Sequence, residues 1–287
     1  MIRITSSEGK VFCEADLAGR VGVYLDNDSL IDLAKGSSTR RDRFLAAVER
    51  GATLLFSGAN ALELAGPEGS SAAAVDAFVD AVGPQWIPLE LNPWKVLRKE
   101  QDGAGPQAPV SNEFLTSYFQ DRAYELSPEG SRILDLSPAN FFRLSSVARW
   151  ERQQKAERPC GQPTESERLD DALRQRISNQ RASFEADPAS LDRQLPVIRF
   201  SPETPATFAV LGLLRMLVVE AKAYQFKKND GVDFSHAALA SAYGRVITLD
   251  KHWKRRVLAL PQPNGLAEVY YRAELDWFLE RLESLVA

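Results

Sequence analysis

Two hydrophobic patterns alternate along this chain: short apolar runs and longer stretches with helical spacing. VGVYL (21–25), TLLF (53–56), QWIPLE (85–90) and RVITL (245–249) have the length and β-prone content of buried strands. SLIDLAKG after the first run reads as a short helix stopped by Gly36, and Ser38 is a candidate cap for a helix over 39–50 that Gly51 ends. Ser57 or Asn60 can start a helix after TLLF, and 70–83 reads as an alanine-rich amphipathic helix. In the second half, 206–228 reads as a long helix, SHAALASAY as a shorter one, and KHWKRRVLAL as a helix after the last run. GLAEVYYRAELDWFLERLESLV places Leu266, Val269, Tyr270, Leu275, Phe278, Leu279, Leu282 and Leu285 at a spacing that suits one helix packed on one face.

Residues 91–205 differ. Polar helix formers over about 113–124, 138–157 and 165–186 are broken by DGAGPQAPVSN (102–112) and ERPCGQPTES (157–166). The expected architecture is therefore an α/β core with a central, mostly parallel sheet in three α/β/α layers. The core would be formed by 1–90 and 206–287, with 91–205 as a helical insertion.

Acidic residues fall at the ends of the strand-like runs. Asp26 follows VGVYL, Glu63 lies in the helix after TLLF, Asp233 stands near the start of SHAALASAY, and Asp250 follows RVITL. In a parallel sheet the carboxyl ends of the strands converge on one crevice. Carboxylates gathered there repel one another unless a divalent cation holds them, and Mg²⁺ takes oxygen ligands. Each acid also has a plainer explanation. Asp26 or, better placed, Asp28 could cap a helix; Glu63 could be an exposed helical Glu; Asp233 could cap the helix leading to His236; and Asp230 suits a turn at Asn229–Gly231. Lys251, Lys254, Arg255 and Arg256 follow Asp250 and offer counter-charge to a polyanion, with His236 as a further phosphate contact. Arg149, Arg152 and Lys155 could form a basic stripe, although a solvated helix face is the simpler explanation.

The order of these motifs resembles the PIN domain nucleases. The matching pieces are LDNDSLIDLAKG (25–36), LFSGANALEL (55–64) and NDGVDFSHAALASAYGRVITLDKHW (229–253). They cover well under half of the chain. The resemblance implies a PIN-like fold and cleavage of single-stranded RNA with Mg²⁺ or Mn²⁺. Asp26, Glu63, Asp233 and Asp250 would form the metal and catalytic site, with Asp230 in reserve for the third position. Asn27 stands where the family often carries a small hydroxyl residue, and the long insertion is unlike the family's compact toxins. A toxin- or defence-like role, with a protein inhibitor or antitoxin as partner, follows from the same resemblance.

Two other classes compete. LDNDS also resembles the nucleophile motif of haloacid dehalogenase-like phosphohydrolases, with Asp26 as nucleophile and Asp28 as acid/base. That family's acidic motif should follow a buried strand, whereas NDGVD follows a helical stretch. The third class is a non-catalytic interaction protein on the same fold, paired with an antitoxin or a second copy of itself.

Bulk properties narrow the field. The chain has 287 residues, 44% hydrophobic content and net charge −4, so no global basic footprint marks a dedicated nucleic-acid binder. Cys13 and Cys160 lack a CxxC spacing and fit a reducing compartment. Two histidines, His236 and His252, leave little for a zinc site. MIRITSSEGK has no apolar core of a signal peptide, and FAVLGLLRMLVV is too short to span a membrane and carries Arg215. A soluble, cytoplasmic protein is expected. Neither a G-x-S-x-G elbow nor a phosphate-binding G-x-x-x-x-G-K-[ST] loop is present.

Overall fold

The computed structural model describes residues 2–7, 10–64, 70–126, 142–220 and 226–287. The five strands of its main sheet run parallel. In chain order they are β3 (Val21–Tyr24), β4 (Ala52–Phe56), β5 (Trp86–Pro88), β6 (Val246–Thr248) and β7 (Glu268–Tyr270), and in space β5-β4-β3-β6-β7. Apolar side chains of β3 and β4 are buried on both faces, which is why these segments read as continuous apolar runs. The strand order reverses beside β3: β4 lies on one side and β6, more than two hundred residues later in the chain, on the other.

Helices complete the expected three-layer α/β/α architecture. α1 (Asn27–Lys35), α2 (Ser38–Glu49), α3 (Gly58–Leu64), α4 (Ser70–Ala81), α5 (Pro93–Gln101) and α6 (Asn112–Leu126) come first. α7 (Leu144–Glu157), α8 (Glu165–Ala186), α9 (Ser190–Gln194) and α10 (Pro205–Glu220) follow. α11 (Asp230–Tyr243), α12 (Lys251–Leu258) and α13 (Leu275–Leu285) complete the series. α2 packs on β4 and α13 on β6, while α11 lies against β3 and β6, backed by α8 and α10. Gly22 permits that approach: a Cβ there would sit 2.9 Å from the Tyr243 carbonyl oxygen.

The segment expected as an insertion is joined to the rest by one hydrophobic core. Leu144 and Val147 of α7 and Leu173 and Ile177 of α8 belong to the same buried cluster as Val23 and Ile247 of the sheet. Trp86 Nε1 donates to the Phe142 carbonyl at 2.9 Å. Residues 138–141 and 221–225, within two of the expected helices, lie outside the described residues.

Several expectations are corrected. Residues 266–285 do not form one helix, because Glu268–Tyr270 pair with β6 and α13 begins only at Leu275. The Val269-Tyr270 pair has high β propensity, and an unpaired β6 edge gives it backbone partners that a helix start would not. An N-terminal hairpin, β1 (Ile2–Ser7) with β2 (Lys10–Ala15), was absent from the sequence expectation. It is held to α6 by Cys13 N–H donating to Thr116 Oγ1 at 3.1 Å and Ala15 N–H to Asn112 Oδ1 at 2.9 Å. Ser38 is the first residue of α2 rather than its cap; Ser37 takes that place and makes no side-chain cap bond.

Candidate functional site

At the carboxyl edge of the sheet, where the strand order reverses, lies a cleft of about 300 Å³. Asp26, Glu63, Asp233 and Asp250 all line it, with Asp28, Lys228 and His236. This is the crevice in which parallel α/β sheets place their ligands. Four acids from four separate segments are thereby brought to one opening.

Each acid is positioned by its local structure. Asp26 caps α1, accepting from Ser29 N–H at 3.0 Å through Oδ1. The cap is thus Asp26 rather than the better-spaced Asp28, because α1 starts immediately at Asn27 and leaves Asp28 exposed in its first turn. The buried Thr248 hydroxyl accepts from Asp26 N–H and donates to the same Oδ1, both at 3.0 Å, and so ties the end of β3 to the end of β6. Asp250 caps α12 through its own Oδ1, which accepts from His252 N–H at 2.7 Å and Trp253 N–H at 2.8 Å. The cap bonds of both aspartates fall on Oδ1.

Glu63 is exposed, as its plainer explanation had it, but it is not without order. Asn27 Nδ2 donates to its carboxylate, and Asn27 Oδ1 in turn accepts from Asn60 Nδ2 at 3.0 Å. Asn60 is fully buried and reaches the Tyr24 hydroxyl and Ser57. Ser57 and Asn60 start α3 together: Asn60 N–H donates to Ser57 Oγ at 3.1 Å while Ser57 N–H donates back to Asn60 Oδ1 at 3.1 Å. This is a reciprocal cap with Asn in place of the usual Glu or Gln.

Asp233 does not cap its helix. Asn229 holds that place with φ 74°, and Asp233 lies in the first turn of α11. Burial, then the neighbouring charges of Asp250, Glu63 and Asp230, push its carboxyl up to about 7. Burial also raises Asp26, against the opposing bonds from Ser29 and Thr248. The raised values have the same origin: several acids share a poorly solvated cleft.

His236 is buried, packs its ring 5.1 Å from that of Tyr24 and places Nε2 2.8 Å from Ser57 Oγ. Desolvation pushes its pKa down to about 3, which favours the neutral ring, and it lines the cleft as the expected phosphate contact would. Asp230 is buried outside the cleft lining and accepts from Lys227 N–H, as a turn residue does. Of the basic helix, Lys254 pairs with Glu274 and Arg256 with Glu220 at 2.8 Å, which leaves the exposed Lys251 and Arg255 as its outward charges. Arg149, Arg152 and Lys155 are exposed on α7.

Oxygen donors that raise one another's proton affinity are chemically suited to a hard cation. Among the described residues, however, no three Asp, Glu, His or Cys side chains stand close enough together to hold an ion as they are placed. The donor set therefore fits in kind, with its side chains apart. Thr248, Asn60 and Lys228 were missed as site residues. Thr248 had a signal in the T-x-D at the end of β6 and Lys228 in the KKNDG run, whereas Asn60 looked only like a helix start.

Comparison of the chain with protein-family models, with curated proteins and with solved structures yields no match. Among the described residues no helix is long and apolar enough to cross a membrane.

Proposed function

We propose that the chain is a PIN-like, metal-dependent endoribonuclease acting on single-stranded RNA. The observation that carries this reading is the meeting of Asp26, Glu63, Asp233 and Asp250 in one cleft at the strand-order reversal. Asp26, Asp233 and Asp250 would hold Mg²⁺ or Mn²⁺, with Glu63 completing the set or positioning the attacking water. When bound, such an ion supplies charge stabilisation to the phosphoryl oxygens and lowers the pKa of water.

The chain's own groups divide the remaining work. The caps fix the directions of Asp26 and Asp250, and Asn27 orients Glu63. Lys228, exposed at the cleft, and Lys251 and Arg255 on α12 offer cations to the phosphates on either side of the scissile bond. Neutral His236 and the Tyr24 ring close the inner wall.

The phosphohydrolase alternative keeps Asp26 as nucleophile and Asp28 as acid/base, and both line the cleft. It is less favoured because NDGVD forms the start of α11 instead of following a buried strand. The two readings separate at Asp28. With RNA and Mn²⁺, Asp26→Asn should lose activity by about 100-fold or more, and Asp28→Asn should keep most of it. Phosphomonoester hydrolysis that depends on Asp28 would reverse the choice. The two cysteines are free, Cys13 buried and Cys160 exposed, which suits a reducing, cytoplasmic setting.

A further inference from the structure

Asp170 belongs to α8, in the segment expected as an insertion, yet its bonds go to the cleft. Its carboxylate, buried to 7% exposure, accepts from Asn229 N–H at 2.8 Å through one oxygen and from Gly231 N–H at 2.7 Å through the other. Ser166, one turn earlier on α8, donates to Asn229 Oδ1 at 3.1 Å. The two N–H groups belong to the cap and the first turn of α11, whose donors a helix must satisfy from outside itself.

The fit is close at the backbone. A Cβ on Gly231 would lie 2.4 Å from the carbonyl carbon of Leu169 and 2.5 Å from Asp170 N, so only glycine allows the two helices to meet here. Asn229, in the left-handed region, then turns the chain into α11, and Asp233 N–H donates to its carbonyl at 2.9 Å. The same turn carries Lys228. Val232 packs with Leu169 and Leu91 in a small buried cluster.

We infer that Asp170 is a positioning residue: through Asn229 and Gly231 it sets the start of α11, and with it Asp233 and Lys228 at the cleft. This rests on the reading of the cleft as a metal site. It also gives the inserted segment a task, since α8 supplies a bond pair that the sheet and its own helices do not.

The test uses the full chain, with Mn²⁺ alone as the probe. Asp170→Asn keeps the shape but sets an amide NH₂ against one of the two N–H groups. Asp171→Asn removes the same charge from an exposed neighbour that pairs with Arg174. Free Mn²⁺ is followed by electron paramagnetic resonance at a temperature well below unfolding, and amide exchange is measured without metal. Asp170→Asn should weaken Mn²⁺ binding by about 10-fold or more, as losses of outer-shell partners do. It should also speed exchange at the amides of Asn229, Gly231 and Asp233, while Asp171→Asn leaves both unchanged. A merely structural role would lower the melting temperature of Asp170→Asn with Mn²⁺ affinity retained, and that result would overturn the inference. If the parent chain binds no Mn²⁺, the metal-site reading fails on its own. Amide exchange then decides the positioning role: faster exchange at those three amides supports it, and unchanged exchange overturns it.

Discussion

Thr248 Oγ1 stands 3.0 Å from both the backbone nitrogen and Oδ1 of Asp26, so one hydroxyl both accepts from and donates to the same residue. It joins the ends of two parallel strands that are neighbours in space and far apart in sequence. Thr248→Val keeps the volume and loses both bonds, leaving the Asp26 N–H without its acceptor. The expected cost is about 1–3 kcal/mol in urea unfolding, with a fall in any metal-dependent activity. Unchanged stability would show that the hydroxyl does not carry this bond.

The acidity of Asp233 gives stability a definite pH dependence. Its folded pKa, pushed up to about 7, lies above the unfolded value, so between the two the native state binds a proton that the unfolded state has released. The contribution of Asp233 to metal-free stability should therefore fall as pH rises from about 4 to 7, by on the order of 1–3 kcal/mol for a partly exposed carboxyl, against an opposing rise from His236 below its ordinary value of 6.5. Asp233→Asn should differ from the parent by that share of the slope, Glu151 keeping its own raised carboxyl, and be the more stable protein at pH 8. Parallel pH profiles of urea midpoints check this; a variant less stable than the parent at pH 8 would contradict it.

A cation in the cleft should reverse the same penalty. Mn²⁺ at about 100 times its dissociation constant should stabilise the native chain by about 2.7 kcal/mol. Thermal unfolding with and without Mn²⁺ measures it, and Asp233→Asn or Asp26→Asn should lose most of the gain. Equal stabilisation of parent and variants would place the ion elsewhere.

The basic residues of α12 should separate into two classes. Charge reversal at Lys251 and Arg255 is expected to weaken RNA binding and reduce its salt slope by roughly 1–2, with stability within about 0.5 kcal/mol of the parent. Arg256→Met should instead destabilise the fold by about 1–3 kcal/mol, because it breaks the pair with Glu220 and removes a buried side chain. Reversal at Arg149, Arg152 and Lys155 should leave RNA affinity unchanged if they are only a solvated face of α7. Filter binding at several salt concentrations separates the α12 and α7 reversals, and urea unfolding reads Arg256→Met.

The parts of the fold that could be read from the sequence were those in which local pattern and tertiary environment agree. VGVYL and TLLF are buried on both faces and read as such. β7 and the N-terminal hairpin could not be read in the same way, since Glu268–Tyr270 are a strand only because β6 offers an edge. Asp26 and Asp250 were legible because each follows a strand, and Glu63 and Asp233 because the helices that carry them adjoin strands in the order of the motifs. Their geometry was not: which of Asp26 and Asp28 caps α1, and whether Asp233 caps α11, depends on where each helix begins. Asp170 was illegible for a different reason, since its partners are backbone N–H groups about sixty residues later, which carry no side-chain signature.

The most direct test is cleavage of an end-labelled single-stranded RNA in Mn²⁺ by the parent chain and by Asp26→Asn, purified identically, with a chelator control. Cleavage that requires both the metal and Asp26 is the expected result. Equal cleavage by the two proteins, or none by either, would contradict a metal-dependent nuclease site in this cleft.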